Sequence, residues 1–282
     1  MKATTKQVLI VAGWLAVLLA VIGGTMMWQR QVRHRKHNIA AVTVTSTARI
    51  PNVLILDRHT TDREGRQLVA GMQRNNGYQS VVTVTVTANG RLNFNGEFRA
   101  HDNRPYLRIV LPNQTASEQK EALWIKMAIK YSQSHLHFKT FNLISYGSGG
   151  ISATNYLEHT TKDVLPEHFI AIAPPFNGTS TAKNADKTTA VTKANQTLLL
   201  RSLTNQRQKI AKRVQVLLIA GKSKQHQNGD GVIPIQSALA GQAIFKGRVS
   251  RYQQKVLNSW RATHKGILSS FRLTNIIQDF IS

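Results

Sequence analysis

The ten residues "FNLISYGSGG", Phe141 to Gly150, decide how this chain is read. Phe141, Leu143 and Ile144 give the first half strand character, and the second half collapses into small residues with a serine among them. A strand that ends in a tight G-x-S-x-G turn and passes into a helix is a device that holds a serine nucleophile above a sheet. Register is the difficulty. Either Ser148 is the nucleophile, or Gly147 stands where the nucleophile belongs.

Working outward, the pattern repeats. "ISATNYLEH" continues the turn as a helix, and "ASEQKEALWIKMAIKYSQ" before it places Trp124, Met127, Ala128 and Tyr131 at helical spacing. Val53 to Leu56 is an apolar run after Pro51 that suits a buried strand. "REGRQLVAGMQRNNG" reads as a helix with Leu68, Val69 and Met72 on one face, stopped by Asn-Asn-Gly. "VVTVTVTANGRLNFNGEF" is two alternating runs about Ala-Asn-Gly, a hairpin signal. "YLRIVLP", "HFIAIAPP" and "VQVLLIAG" are short apolar runs, the latter two typical of buried parallel strands. "GILSSFRLTNIIQDFI" closes the chain as an amphipathic helix. Strands alternating with helices predict one α/β domain over residues 51–282, with a mostly parallel sheet flanked by helices. The polar stretch 176–213 suits either a cap over the sheet's carboxyl edge or a surface excursion, helical towards its end.

Composition sets the electrostatics. The 282 residues hold 37 Lys+Arg against 13 Asp+Glu, a formal net charge of +24. Such a surface attracts polyanions, whether nucleic acid, lipid headgroups or acidic wall polymers. With no cysteine, a disulfide framework, a thiolate metal site and a cysteine nucleophile are all excluded. No H-E-x-x-H spacing is present, and neither a metal nor a cofactor is expected.

After a tail of residues 1–7, Val8 to Trp28 is an uncharged, mostly apolar run. At about 1.5 Å per residue it measures roughly 30 Å, enough to cross a bilayer core. Bulky residues at its end offer no small-x-small cleavage site, which favours an uncleaved anchor over a removed signal peptide. Residues 29–50 form a basic juxtamembrane linker. Counted plainly, the positive-inside rule puts that flank in the cytoplasm.

Two loop residues complete a chemical order. Asp230 lies in "NGDGVIP" after "VQVLLIAG", and His264 lies in "RATHKGIL" before the terminal helix. Nucleophile, acid, histidine is a chain order in which the histidine takes the nucleophile's proton and a carboxylate holds the ring. Taken singly, Asp230 is also an ordinary Asp-Gly turn and His264 an ordinary loop histidine. Asp230 is, however, the only carboxylate between Lys187 and Gln278. His59 and His226 are read as solvated loop histidines.

The segments "RPYLRIVLP", "FNLISYGSGGISATNYLEH", "FIAIAPPFNG", "GDGVIPIQSALA" and "THKGIL" resemble the α/β-hydrolase family of cell-surface hydrolases of Gram-positive bacteria, from about Pro51 to the C-terminus. That resemblance implies an α/β-hydrolase fold outside the cell behind an N-terminal anchor, against the plain flank count. The family writes its turn Gly-His-Ser-Met-Gly-Gly. Its closing Gly-Gly falls on Gly149 and Gly150, which puts Gly147 at the nucleophile position, Asp230 at the acid and His264 at the base. The family's His-Gly oxyanion loop is here "LDRHTT", Leu56 to Thr61, without glycine.

Three readings follow. The first is an anchored cell-surface hydrolase homologue with a degenerate site that binds anionic wall polymers or lipid headgroups. The second is a serine ester hydrolase using Ser148, His264 and Asp230. The third is a basic polyanion-binding protein facing the cytoplasm; no nucleic-acid-binding signature supports it. Substrate and oligomeric state stay open.

Overall fold

In the computed structural model, residues 14–16, 18–25, 49–112, 116–185, 188–226 and 228–282 are described. The chain divides into two compact units, Met1–Thr45 and Ser46–Ser282. In the first unit, residues 14–16 and 18–25 are helical and exposed. Among the described residues no helix is long and apolar enough to cross a membrane. Much of the expected anchor (Val8–Gly13, Val17 and Met26–Trp28) and most of the linker lie outside the described residues.

The second unit is a three-layer α/β structure. Its strands are β1 (Asn52–Ile55), β2 (Val81–Val86), β3 (Leu92–Asn95), β4 (Tyr106–Val110), β5 (Asn142–Tyr146), β6 (His168–Ile172), β7 (Gln215–Ser223) and β8 (Arg251–Ser259). They form one sheet in the order β3-β2-β4-β1-β5-β6-β7-β8. Every pairing is parallel except β2 with β3, the expected hairpin, which sits at one edge.

Why the central strands read as unbroken apolar runs is plain from their two faces. Val53, Ile55, Leu143, Phe169 and Val216 point into one core, and Leu54, Ile144, Ile170 and Leu217 into the other. With both faces covered, the period-2 alternation of a half-buried strand disappears.

Helices α1 (Asp62–Asn76) and α7 (Phe271–Ile281) cover the second face through Leu68, Met72, Leu273 and Ile277. Helices α2 (Glu118–Leu136), α3 (Gly149–His159), α4 (Leu198–Gln206), α5 (Ile235–Leu239) and α6 (Gln242–Phe245) belong to the first. Thr61 begins α1 with a capping box, its hydroxyl accepting from the Glu64 amide while the Glu64 carboxylate takes the Thr61 amide at 2.8 Å.

Three expectations change in detail. On α2, Trp124 and Ala128 are buried, but Met127 and Tyr131 are exposed; the buried stripe runs through Ala122, Ile125 and Ile129. The closing helix starts later than expected, because Gly266–Ser269 forms a separate 3-10 turn. Within 176–213, α4 buries Leu200 and Leu203 against the core. The loop before it is pinned to α5, with the Asn177 amide on Ser237 Oγ (3.0 Å) and the Ala185 amide on Gln236 Oε1 (2.9 Å).

Candidate functional site

The turn after β5 settles the register of Gly147 and Ser148. Gly147 holds φ +55°, the left-handed conformation that a nucleophile turn needs at its apex, and its amide donates to the Ile172 carbonyl at 2.9 Å. Ser148 is the next residue. It is already right-handed (φ −61°, ψ −24°) and stands at the N-cap of α3. The two following glycines are forced by close approach: a Cβ on Gly149 would lie 2.4 Å from the Ile55 carbonyl oxygen, and one on Gly150 2.7 Å from Pro174 Cβ.

The space a nucleophile would use is filled from another strand. Asp57, just past β1, sends its carboxylate across so that Oδ2 accepts from the Ser148 amide at 3.0 Å, while Oδ1 accepts from the His59 amide at 2.9 Å. A Cβ built on Gly147 would stand 2.8 Å from that Oδ2. Burial pushes the Asp57 pKa up, but hydrogen bonds from the Ser148 hydroxyl and the His59 and Ser148 amides, with the charge of His59, outweigh it and hold the group below its ordinary value. The carboxylate is therefore ionised at neutral pH. It takes the amide that follows the apex, which in serine hydrolases of this turn type helps to bind the oxyanion.

Neighbouring contacts fix this loop. Arg58 pairs with Glu121, a buried carboxylate on α2 that also accepts from the Ser152 hydroxyl of α3. Asp62 takes Arg108 at 2.6 Å, and the Thr60 amide donates to the Asp57 carbonyl at 2.9 Å.

Asp230 and His264 lie side by side. Asp230 Oδ2 lies 2.7 Å from His264 Nδ1, and Oδ1 accepts from the Val232 and Ile233 amides at 2.9 and 2.7 Å. The His264 amide returns to the Asp230 carbonyl at 2.8 Å. The acid's side chain is fully buried and the imidazole is 15% exposed. Tyr146 braces the pair: its hydroxyl donates to the His264 carbonyl at 2.8 Å, and its ring centre lies 4.9 Å from the imidazole. Burial, then the charges of Asp230, Asp57 and Glu64, push the Tyr146 pKa far up, so the phenol stays neutral.

Ser148 is not joined to this pair. Among the described residues no hydrogen bond links it to His264, whose Nε2 has no protein partner. Nor does any cluster of three or more His, Cys, Asp or Glu suited to a metal ion occur among them. Asp57 is the site residue that the sequence reading did not single out. Its one signal was an acid in the loop where the resembled family writes His-Gly.

A mostly parallel sheet, a left-handed glycine turn after its central strand, and an acid–histidine pair on the loops after β7 and β8 define an α/β hydrolase. The chain belongs to the family of alpha/beta hydrolases of unknown function called DUF915, which matches residues 41–282. Its fold is similar to that of a Listeria innocua protein (TM-score 0.75, 20% identity, covering 83% of this chain and 94% of that one). It is also similar to a Lactobacillus plantarum WCFS1 protein described, provisionally, as a cell surface hydrolase (TM-score 0.68, 22% identity, covering 84% and 92%). A Pyrococcus furiosus esterase matches more loosely, with TM-score 0.52 and 16% identity over 83% of this chain and 82% of that one. No curated protein matches the chain in sequence.

Proposed function

We propose that this protein is a cell-surface member of the α/β hydrolases, held to the membrane by Val8–Trp28, that acts by binding rather than by serine hydrolysis. The observation that carries this reading is the Asp57 carboxylate, which takes the Ser148 amide and stands against Gly147. An acyl oxyanion would meet a fixed negative charge where it needs donors, and loss of one such donor alone costs about 2.7–4 kcal/mol in barrier. With glycine at the apex there is no nucleophile to compensate. The excess of 37 Lys+Arg over 13 Asp+Glu supports anionic partners, either wall polymers or lipid headgroups.

The test is fluorophosphonate labelling of the full-length protein in detergent, beside its Ser148→Ala variant and an active serine esterase. No adduct on wild type is the expected result. An adduct that Ser148→Ala abolishes would overturn the reading and make Ser148 a nucleophile. Protease digestion of intact cells tests the location: cleavage within 46–282 from outside is expected, and protection would place the domain in the cytoplasm.

A further inference from the structure

The loop that holds Asp230 has a second side. Its inward side chain is buried and saturated by His264 and two amides. Its outward residues line a groove of about 400 Å³, bounded by Thr181, Gln225, His226, Asn228 and Val232. Among the described residues no acidic side chain lines it. The neutral side chains supply one hydroxyl and two carboxamides, donors and acceptors both. Val232, 52% exposed, adds an apolar patch.

The wall is fixed by local geometry. Gly231 holds φ +94°, and a Cβ there would lie 2.6 Å from the His226 ring, so the imidazole rests directly on bare backbone. The His226 amide donates to the Ser223 carbonyl at 3.1 Å, and the Ser223 amide to the Gly229 carbonyl at 2.8 Å, closing the base of the loop.

Lys224, which precedes the groove's Gln225 in the chain, lies against an aromatic residue that the hydrolase site leaves unused. Strands β7 and β8 end in register at Ser223 and Ser259, so Lys224 and Trp260 follow side by side at the sheet's carboxyl edge. Trp260 is 61% exposed, with the Lys224 ammonium 5.7 Å from its ring centre. Carboxyl edges of parallel strands are where α/β sheets bind ligands. The negative face of an indole attracts the polarised C–H face of a sugar ring. An ammonium beside it suits an acidic substituent, and hydroxyl and carboxamide groups suit ring hydroxyls.

We propose that the groove beside the Asp230 loop, with Trp260 and Lys224, is a binding site for an anionic saccharide, a sugar ring bearing a carboxylate or phosphate. This deepens the binding reading above and rests on it.

The test is titration of the full-length protein in detergent with hexagalacturonate and pentamannosyl phosphate, with maltohexaose as a neutral saccharide and polyphosphate as an anion without sugar. Wild type is compared with Trp260→Ala and Lys224→Gln; both positions are exposed, and melting midpoints check the fold. At least one acidic saccharide is expected to weaken fivefold or more in Trp260→Ala and in Lys224→Gln. Which one weakens tells carboxylate from phosphate. Polyphosphate, held by the general basic surface, is expected to change by less than twofold in Trp260→Ala. Smaller losses for both acidic saccharides, maltohexaose binding as tightly as they do, or an equal loss for polyphosphate would overturn the proposal. A fluorophosphonate adduct at Ser148 would instead strike the reading beneath it and leave the Trp260 result standing.

Discussion

Asp57 Oδ2 sits 2.8 Å from the point where a Cβ on Gly147 would be. A serine at 147 therefore requires the Asp57 side chain to move from its bond to the Ser148 amide. Gly147→Ser alone is expected to remain unlabelled by fluorophosphonate and to lose about 1–3 kcal/mol, from the left-handed backbone and the collision. The double variant Asp57→Gly with Gly147→Ser is expected to label through the Asp230–His264 pair. Labelling of the single variant would show that the carboxylate moves aside freely.

Asp57 also predicts an acid limb in stability. Its folded pKa is below its ordinary value of 3.8, so its contribution is fully present above that value and is lost as pH falls through the folded one. Asp57→Asn is expected to be less stable than wild type at pH 6, with the gap closing below about pH 4. Urea denaturation from pH 6 to 2 measures this, and a gap that stays constant would contradict it.

His168 works at higher pH. Its Nδ1 meets Asn142 Oδ1 at 2.8 Å, and Asn142 in turn donates to Asn52 at 3.1 Å, a polar ladder beneath β6, β5 and β1. Burial, with the charges of Arg251 and Arg104, holds its pKa below the ordinary 6.5, against a raising effect from Glu167. The unfolded chain then binds the extra proton first, so stability is complete above pH 6.5 and declines below it. His168→Gln is expected to flatten that decline between pH 7 and 5, read as melting midpoint against pH.

Asp230 carries structural weight whatever its chemistry. Asp230→Ala strands the Val232 and Ile233 amides and is expected to cost about 2–4 kcal/mol in urea denaturation. His264→Ala removes one of the acid's partners and keeps both amides satisfied. Its expected loss is smaller, about 1–2 kcal/mol. Equal losses would mean that the amide bonds contribute little.

Gly149 and Gly247 separate close approach from conformation. Gly149→Ala drives a methyl into the Ile55 carbonyl and is expected to cost about 3 kcal/mol, at the upper end for overpacking. Gly247 has φ +71° with nothing within 4 Å, so Gly247→Asn, a residue tolerant of that backbone, is expected to lose less than about 1 kcal/mol. Thermal melting of both variants decides between them.

What was legible in the sequence followed from burial. The runs Val53–Leu56, "HFIAIAPP" and "VQVLLIAG" announced themselves because both faces of β1, β6 and β7 are covered. Strand β8 did not. As an edge strand reading Arg-Tyr-Gln-Gln-Lys-Val-Leu-Asn-Ser, it fully buries only Leu257. Chain order singled out Asp230 and His264, which lie 2.7 Å apart, and the closing Gly-Gly singled out Gly147, which holds φ +55°. The reach of Asp57 to Ser148 was not legible, because 91 positions separate them and only the pairing of β1 with β5 brings them together.

The pairing of residues 57 and 147 also bears on descent. A serine arising at 147 meets a carboxylate, and a glycine arising at 57 uncovers a turn with no hydroxyl at its apex. Each step alone confers nothing for selection to keep. A lineage that carries both residues is held there by its own geometry, as by a ratchet, while the rest of the fold remains free to change.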